Sequence, residues 1–245
     1  MAGEPRRRLL DVLLSDPPTA EPAIAALAWS ASWRLPRKVA AVALADWVRN
    51  VPGPPLSLPT DVLTGLDRAV ACLLVPDPDG PGRAGLLDAA LRAWTAGAPV
   101  AGCLAAVGPV VPLARACGSL RWARRALALA RSGAVASANG IVRCDENMGT
   151  LVLLADAELA GLLTRQALAP LRGLRPYQAD RLAGTLLAWL ESERNAATAA
   201  RLLHVHPQTV RYRLRQITEL FGDALNDPDA RFNLRMALRV RQLLG

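Results

Sequence analysis

One lysine, two histidines and four cysteines are all that this 245-residue chain holds of three residue types on which much protein chemistry rests. The cysteines, Cys72, Cys103, Cys117 and Cys144, lie without C-x-x-C spacing, which excludes a zinc ribbon or a dithiol redox pair. They are expected to be buried free thiols in a reducing cytosol. Both histidines, His204 and His206, stand two residues apart near the C-terminus. That leaves no histidine elsewhere for a metal site or a Cys–His nucleophile, so no metal and no cofactor is expected. Apolar runs are short. None reaches the ~18 residues that span a bilayer. Arg6-Arg7-Arg8 is followed by LLDVLL, but Asp16 and two prolines interrupt it too soon for a signal peptide. A soluble, cytoplasmic protein without a membrane partner is the expectation. No P-loop and no Gly-rich dinucleotide loop occurs in the chain.

The chain is rich in arginine. The formal charge is +8, and every basic residue except Lys38 is Arg. Arginine suits phosphate and base-edge recognition. Arg in place of Lys, with abundant Ala, Gly and Pro, is also what a GC-rich genome produces. Half of the excess lies in residues 175–245 and half outside them. Charge therefore supports a nucleic-acid partner without locating the contact.

Hydrophobic periodicity organises the chain. Helices are expected over 4–15, 20–32 (Ile24, Leu27 and Ala28 inward), 60–66, 86–96 (Leu87, Leu91 and Trp94 inward) and 113–131 (Leu120, Ala123, Leu127 and Ala130 inward, with Arg121, Arg124, Arg125 and Arg131 solvated). Strands are expected over 37–45, 69–75, 100–107 and 141–144, with Leu151–Leu154 a further apolar run and Pro52–Pro59 a loop. Alternating strands and helices over about 35–145 give an α/β domain, and an all-helical tail follows. In the tail, Pro176–Glu191 presents Leu182, Leu186, Trp189 and Leu190. Asp227 caps and Pro228 opens the last helix, with Phe232, Met236, Val240 and Leu243 inward. Arg231, Arg235 and Arg239 recur at i+4, read as a solvated stripe ahead of a phosphate-tracking one.

Asn195–Arg215, NAATAARLLHVHPQTVRYRLR, carries the functional signal. Asn195 is a favoured N-cap. Ala199 and Ala200 are small enough to let a second helix cross closely, and Leu202 and Leu203 supply an apolar face. His204 falls at the turn, where a left-handed backbone is needed and His is tolerated better than β-branched residues. Pro207 suits the first position of the next helix, with His206, not a favoured cap, before it. Val210, Leu214, Ile217 and Phe221 form one buried stripe. Gln208, Thr209, Arg211, Tyr212 and Arg215 lie outside that stripe. Arg takes both acceptors of guanine and Gln pairs with adenine, which is what a major groove asks of a helix. Arg213 lies at the flank, toward phosphate.

The string HVHPQTVRYRLRQITELFG resembles the C-terminal DNA-binding domain of PucR/CdaR-type bacterial regulators, whose hallmark is a His-Pro-x-Thr-Val-Arg-Tyr-Arg-Leu run. The likeness extends through Leu182–Leu190 and Asp227–Leu243. It implies a transcription regulator that binds a double-stranded DNA operator through His206, Gln208, Thr209, Arg211, Tyr212, Arg213 and Arg215. Upstream, CLLVPDPDGPGR (72–83), VGPVVPLARACGSLRWARRALALA (107–130) and VRCDENMGTLVLLAD (142–156) resemble the GGDEF-like domain of actinobacterial members of that family, a domain related in fold to nucleotide cyclases. A diguanylate cyclase holds substrate and metal with a Gly-Gly-Asp/Glu-Glu-Phe loop, and no such string is present. The chain is therefore expected not to be an enzyme. Asp77 and Asp79 offer two carboxylates to a hard cation, but the turn-rich PDPDGPGR favours Asp as a cap of its own backbone. Cys144-Asp145-Glu146 reads as a helix start.

The expected architecture is an α/β GGDEF-like domain followed by an all-α helix-turn-helix domain. Its parts are a helical segment at 1–34, the GGDEF-like domain at 35–156, a helical linker at 157–174 and the DNA-binding domain at 175–245. A homodimer is expected, with the upstream domain supplying dimerisation, the binding of a small-molecule effector, or both. The alternative is a nucleotide- or small-molecule-binding sensor, or a residual GGDEF-type enzyme, acting through residues 69–83. Relatives often carry a further ~150 residues, the size of one domain, ahead of this region. Here it starts almost at once, as in a short or trimmed member.

Overall fold

A computed structural model of the chain describes residues 3–17, 20–45, 58–96 and 105–244, and these fall into two compact units divided after Leu151. The first opens with α1 (Glu4–Leu13) and α2 (Glu21–Ser30), each with a proline in its first turn, where the missing N–H costs nothing. α1 buries Leu9, Leu10 and Leu13 and packs on α2, which turns Ile24 and Ala28 inward as expected.

The chain then forms β1 (Lys38–Leu44), β2 (Leu63–Gly65), β3 (Ala71–Pro76), α3 (Arg83–Ala96), β4 (Ala105–Val107), β5 (Val111–Pro112), α4 (Ala116–Arg131), β6 (Ile141–Arg143) and α5 (Met148–Leu153). The sheet runs β2-β3-β1-β4-β6, with β5 also paired to β1. Every pairing is antiparallel except the parallel β4–β6 ladder. β1 is buried from Val39 onward on both faces, which explains its unbroken apolar run. Val42 and Leu44 join Leu73, Val75, Leu87, Leu91 and Trp94 in one core, so α3 covers that face. α4 packs along β1, and the alternation of the strand puts the small Ala41 and Ala43 on the face opposite Val42.

One side chain closes a gap in this sheet. β1 pairs with β4 at 42–44 and with β5 at 38–39, leaving 40–41 between the ladders. Ser119, fully buried on α4, accepts a hydrogen bond from the Ala41 amide at 2.9 Å and donates one to the Pro109 carbonyl at 2.8 Å. Gly108 donates its amide to the Ala41 carbonyl at 2.7 Å. A Cβ on Gly108 would stand 2.4 Å from the Ser119 carbonyl oxygen, so only glycine fits.

One expectation for this unit is corrected. Residues 60–66 do not form a helix. Leu63, Thr64 and Gly65 pair with Leu74, Leu73 and Cys72, a non-local ladder that overrides local preference. The apolar run Leu151–Leu154 begins in the short helix α5, which ends at Leu153. The expected loop at 52–57, residues 100–104 of an expected strand and Cys103 lie outside the described residues. Cys72 and Cys144 are buried free thiols and Cys117 is half-buried. Burial, with Asp145 next in line, pushes the Cys144 thiol up to about 12, so it is no nucleophile at neutral pH.

The second unit comprises α6 (Ala157–Ala167), α7 (Pro176–Glu191), α8 (Ala196–Leu202), α9 (Pro207–Phe221) and α10 (Pro228–Leu244). Leu182, Leu186 and Leu190 of α7, Ile217 and Phe221 of α9, and Leu234, Ala237 and Leu238 of α10 share one core. The segment expected as a linker, 157–174, belongs to this unit, because α6 packs along α10. α10 lies against both α6 and α7 and is buried on more than one side. Sequence periodicity showed only one of those sides. Val240 is buried as expected, but Phe232 is 63% exposed while Leu234, Ala237 and Leu238 point inward. Among the described residues no single helix is long and apolar enough to cross a membrane.

Candidate nucleic-acid interface

α8 and α9 are held by caps that the side chains themselves supply. Asn195 Oδ1 accepts from the amides of Ala197 at 2.9 Å and Thr198 at 3.1 Å, satisfying two of the orphan donors that open a helix. Ala199 and Ala200 are buried, with Val210 of α9 seated against them. Leu203 is half-buried at this contact, whereas Leu202, expected on the same face, is 57% exposed.

The turn is made by the backbone. The His204 amide donates to the Arg201 carbonyl at 3.2 Å, and the Val205 amide to the Ala200 carbonyl at 3.0 Å. This is the paired bonding of a Schellman motif, and it requires a left-handed residue. His204 supplies it at φ 52°. The conformation costs an L-residue about 1–2 kcal/mol. His204→Gly is therefore expected to leave stability unchanged or raise it by up to about 1 kcal/mol, once the greater freedom of the unfolded glycine is deducted. His204→Val, β-branched and poorly suited to this region, is expected to cost more than 1 kcal/mol. Thermal melts of the two variants check this, and a melt in which valine is harmless would show that the turn is not strained.

His206 caps α9 despite being an unusual residue there. Its Nδ1 accepts from the Gln208 amide at 3.2 Å, and Pro207 occupies the first helical position. The sequence signal was the proline, which marks the residue before it as the cap. α9 ends at Gly222, whose φ of 51° favours glycine.

The outward face of α9 carries the residues expected to meet DNA. His206, Gln208, Arg211, Tyr212 and Arg215 are exposed, and Thr209 is half-buried. The Tyr212 hydroxyl accepts from Gln216 Nε2 at 3.3 Å. Arg211 and Arg215 have no hydrogen-bond or ion-pair partner among the described residues. Arg213 differs. It is half-buried, and its Nη1 donates to the hydroxyl of Thr185 on α7 at 3.2 Å. Burial, and then the nearby Arg181 guanidinium, lower its pKa from the ordinary guanidinium value.

The other arginines of this unit's last helix are engaged with the protein. Arg235 donates to the Leu190 carbonyl at 2.7 Å, at the C-terminal end of α7 where the helix dipole favours a cation. Arg231 donates to the Asn226 carbonyl at 2.7 Å, Arg239 pairs with Glu191, and Arg241 pairs with Asp180. The i+4 arginine stripe of α10 is thus largely solvated, as expected, while its donors also reach partners within the unit. It ties helix ends together.

In the first unit, Asp77 has φ 40° and accepts the amides of Arg37 and Lys38, each at 3.1 Å. Its Oδ1 therefore caps the start of β1 and not, as expected, its own backbone, where the Asp77 carbonyl accepts from the Gly80 amide at 2.9 Å. Asp79 pairs with Lys38 at 3.9 Å. Among the described residues no group of His, Cys, Asp and Glu is placed to hold a metal ion. Asp145 to Asn147 form a 3₁₀ turn leading into α5, the helix start expected at Cys144-Asp145-Glu146.

Comparison with known proteins agrees with this geometry. The family described as the PucR C-terminal helix-turn-helix domain matches residues 182–240, from within α7 to within α10. The chain is 41% identical over 61 residues to the purine catabolism regulatory protein of Bacillus subtilis, a match covering 25% of this chain and 12% of that protein. It is 35% identical over 142 residues to an uncharacterized protein of Mycobacterium tuberculosis, covering 56% of this chain and 32% of that one. The matches thus span a third or less of these relatives' lengths. A solved structure, a regulator of polyketide synthase expression from Bifidobacterium adolescentis, aligns with a TM-score of 0.43 and 22% identity over 97% of this chain and 92% of that one. With α8 and α9 capped and crossed as described, residues 182–240 of this chain belong to the PucR C-terminal helix-turn-helix family.

Proposed function

We propose that the chain is a sequence-specific DNA-binding transcription regulator of the PucR/CdaR type, which reads an operator with α9. One observation carries this reading. The outward face of a capped second helix holds Gln208, Arg211, Tyr212 and Arg215, and its two exposed arginines have no hydrogen-bond or ion-pair partner among the described residues. Base-edge recognition needs such groups, free and preorganised at the start of a helix. His206 and Thr209 complete the contact surface at the first turn, and Arg213 serves phosphate at the flank.

The upstream unit is read as a GGDEF-like fold without cyclase chemistry that supplies dimerisation or effector binding. A mixed sheet with apolar helices packed on it is consistent with that assignment. The sensor alternative gains little from the described residues. Asp77 is engaged by the amides of Arg37 and Lys38, and one cavity of this unit, lined by Asp88, Asn139, Arg143 and Glu146, has about 100 Å³, room for a few waters. Dimerisation is assigned to residues 1–170, where Trp29 on α2 is 89% exposed.

Selection of genomic fragments by the full chain, followed by footprinting, tests the reading. The expected result is a protected inverted repeat. A full chain that prefers no fragment over bulk DNA overturns it.

A further inference from the structure

The arginines of the second unit sort into two groups. Arg231, Arg235, Arg239 and Arg241 spend their donors on carbonyls and carboxylates of the same unit. Arg213 reaches Thr185, one turn after Arg181 on α7, and neither arginine pairs with a carboxylate among the described residues. Thr185, fully buried, anchors Arg213 to the helix that carries Arg181. Its hydroxyl donates to the Arg181 carbonyl at 2.8 Å and accepts from Arg213 Nη1 at 3.2 Å. Arg213 Nε is buried with no hydrogen-bond partner, and the bond from Nη1 to Thr185 holds the half-buried guanidinium against α7. The exposed Arg181 guanidinium lies 5.2 Å over the ring of Tyr177, itself 72% exposed. That stacking limits its freedom in turn.

Two guanidinium groups held side by side without a counter-charge repel each other. An anion between them removes that repulsion and gains charge-assisted hydrogen bonds. Arg213 stands on the flank of α9, beside the face that carries Gln208, Arg211 and Arg215, where the wall of a groove presents its phosphates.

We infer that Arg181 and Arg213, with Tyr177 and Thr185 as positioning residues, form a clamp for one DNA backbone phosphate, so that α7 as well as α9 grips the duplex. This rests on the DNA-binding reading above and adds a helix to the contact surface. The clamp reads no sequence. It fixes how deep and at what angle α9 enters the groove.

The test uses the full chain, its selected duplex and a scrambled duplex of the same length. Arg181→Ala is expected to weaken both by the same several-fold factor and to lower the log–log salt slope by about 0.9 per bound chain, the value for one lost phosphate contact. Arg181→Lys should recover most of that slope. Methylphosphonates placed one at a time along the selected duplex should reveal one position per half-site that weakens the wild type but not Arg181→Ala. Arg181 is exposed, so the variant keeps its fold, which circular dichroism checks. Wild-type salt slope and methylphosphonate sensitivity in Arg181→Ala, beside Arg211→Ala that has lost the selected duplex, would overturn the clamp and leave the DNA reading standing. A wild type that binds neither duplex overturns both.

Discussion

Arg211→Ala is expected to weaken binding to the selected operator by about 1–3 kcal/mol and to relax preference at one base pair of each half-site. The side chain is exposed, one turn into α9, and makes no hydrogen bond or ion pair among the described residues that its loss would break. Stability should therefore stay within about 0.5 kcal/mol of the wild type, as for other surface changes. What is lost is a planar fork that can satisfy two acceptors of one guanine, a geometry that lysine does not reproduce. Arg211→Lys should accordingly recover overall affinity better than it recovers discrimination. Titrations against the operator and against single-base variants decide the matter. An equal loss on operator and scrambled DNA would remove Arg211 from the base-reading set and leave it a phosphate contact.

A duplex with two inverted half-sites is expected to bind at least about a hundred-fold more tightly than one with a single half-site, the gain that two tethered contacts bring. One α9 reads only a few base pairs, too little to select an operator among the competing sites of a genome. Pairing through a dimer solves this if the half-sites lie one helical turn, or a multiple, apart. Inserting about 5 base pairs, half a turn, between them should abolish most of the gain. Light scattering should count two chains per duplex. A tight one-to-one complex on a single half-site would sink the paired arrangement.

The parts legible in the sequence are those governed by neighbours a few residues away. Asn195 and Pro207 announced two helix starts, and the turn between them, with His204 left-handed, followed from their spacing. The strand over 37–45 was visible because burial on both faces leaves an unbroken apolar run. What was missed depends on partners far along the chain. Leu63–Gly65 is a strand because Leu74, Leu73 and Cys72 lie beside it. Phe232 took the place of Leu234 in the expected face of α10 because two neighbouring helices bury more than one side. Arg235 is exposed as expected, but nothing in its own helix shows that the Leu190 carbonyl lies within reach. The Thr185–Arg213 contact joins residues 28 positions apart and leaves no periodic trace.

Ser119 has a mechanical consequence. A helix lying on a sheet through apolar contacts alone can creep along it, because such contacts exchange at little cost. α4 is denied that freedom. Sliding it by one residue would strand the Ala41 amide, the Ser119 hydroxyl and the Pro109 carbonyl together, and each unsatisfied buried group costs about 1–3 kcal/mol. Gly108 blocks the motion from the other side, since its backbone already touches the helix. Helix and central strand therefore travel as one piece.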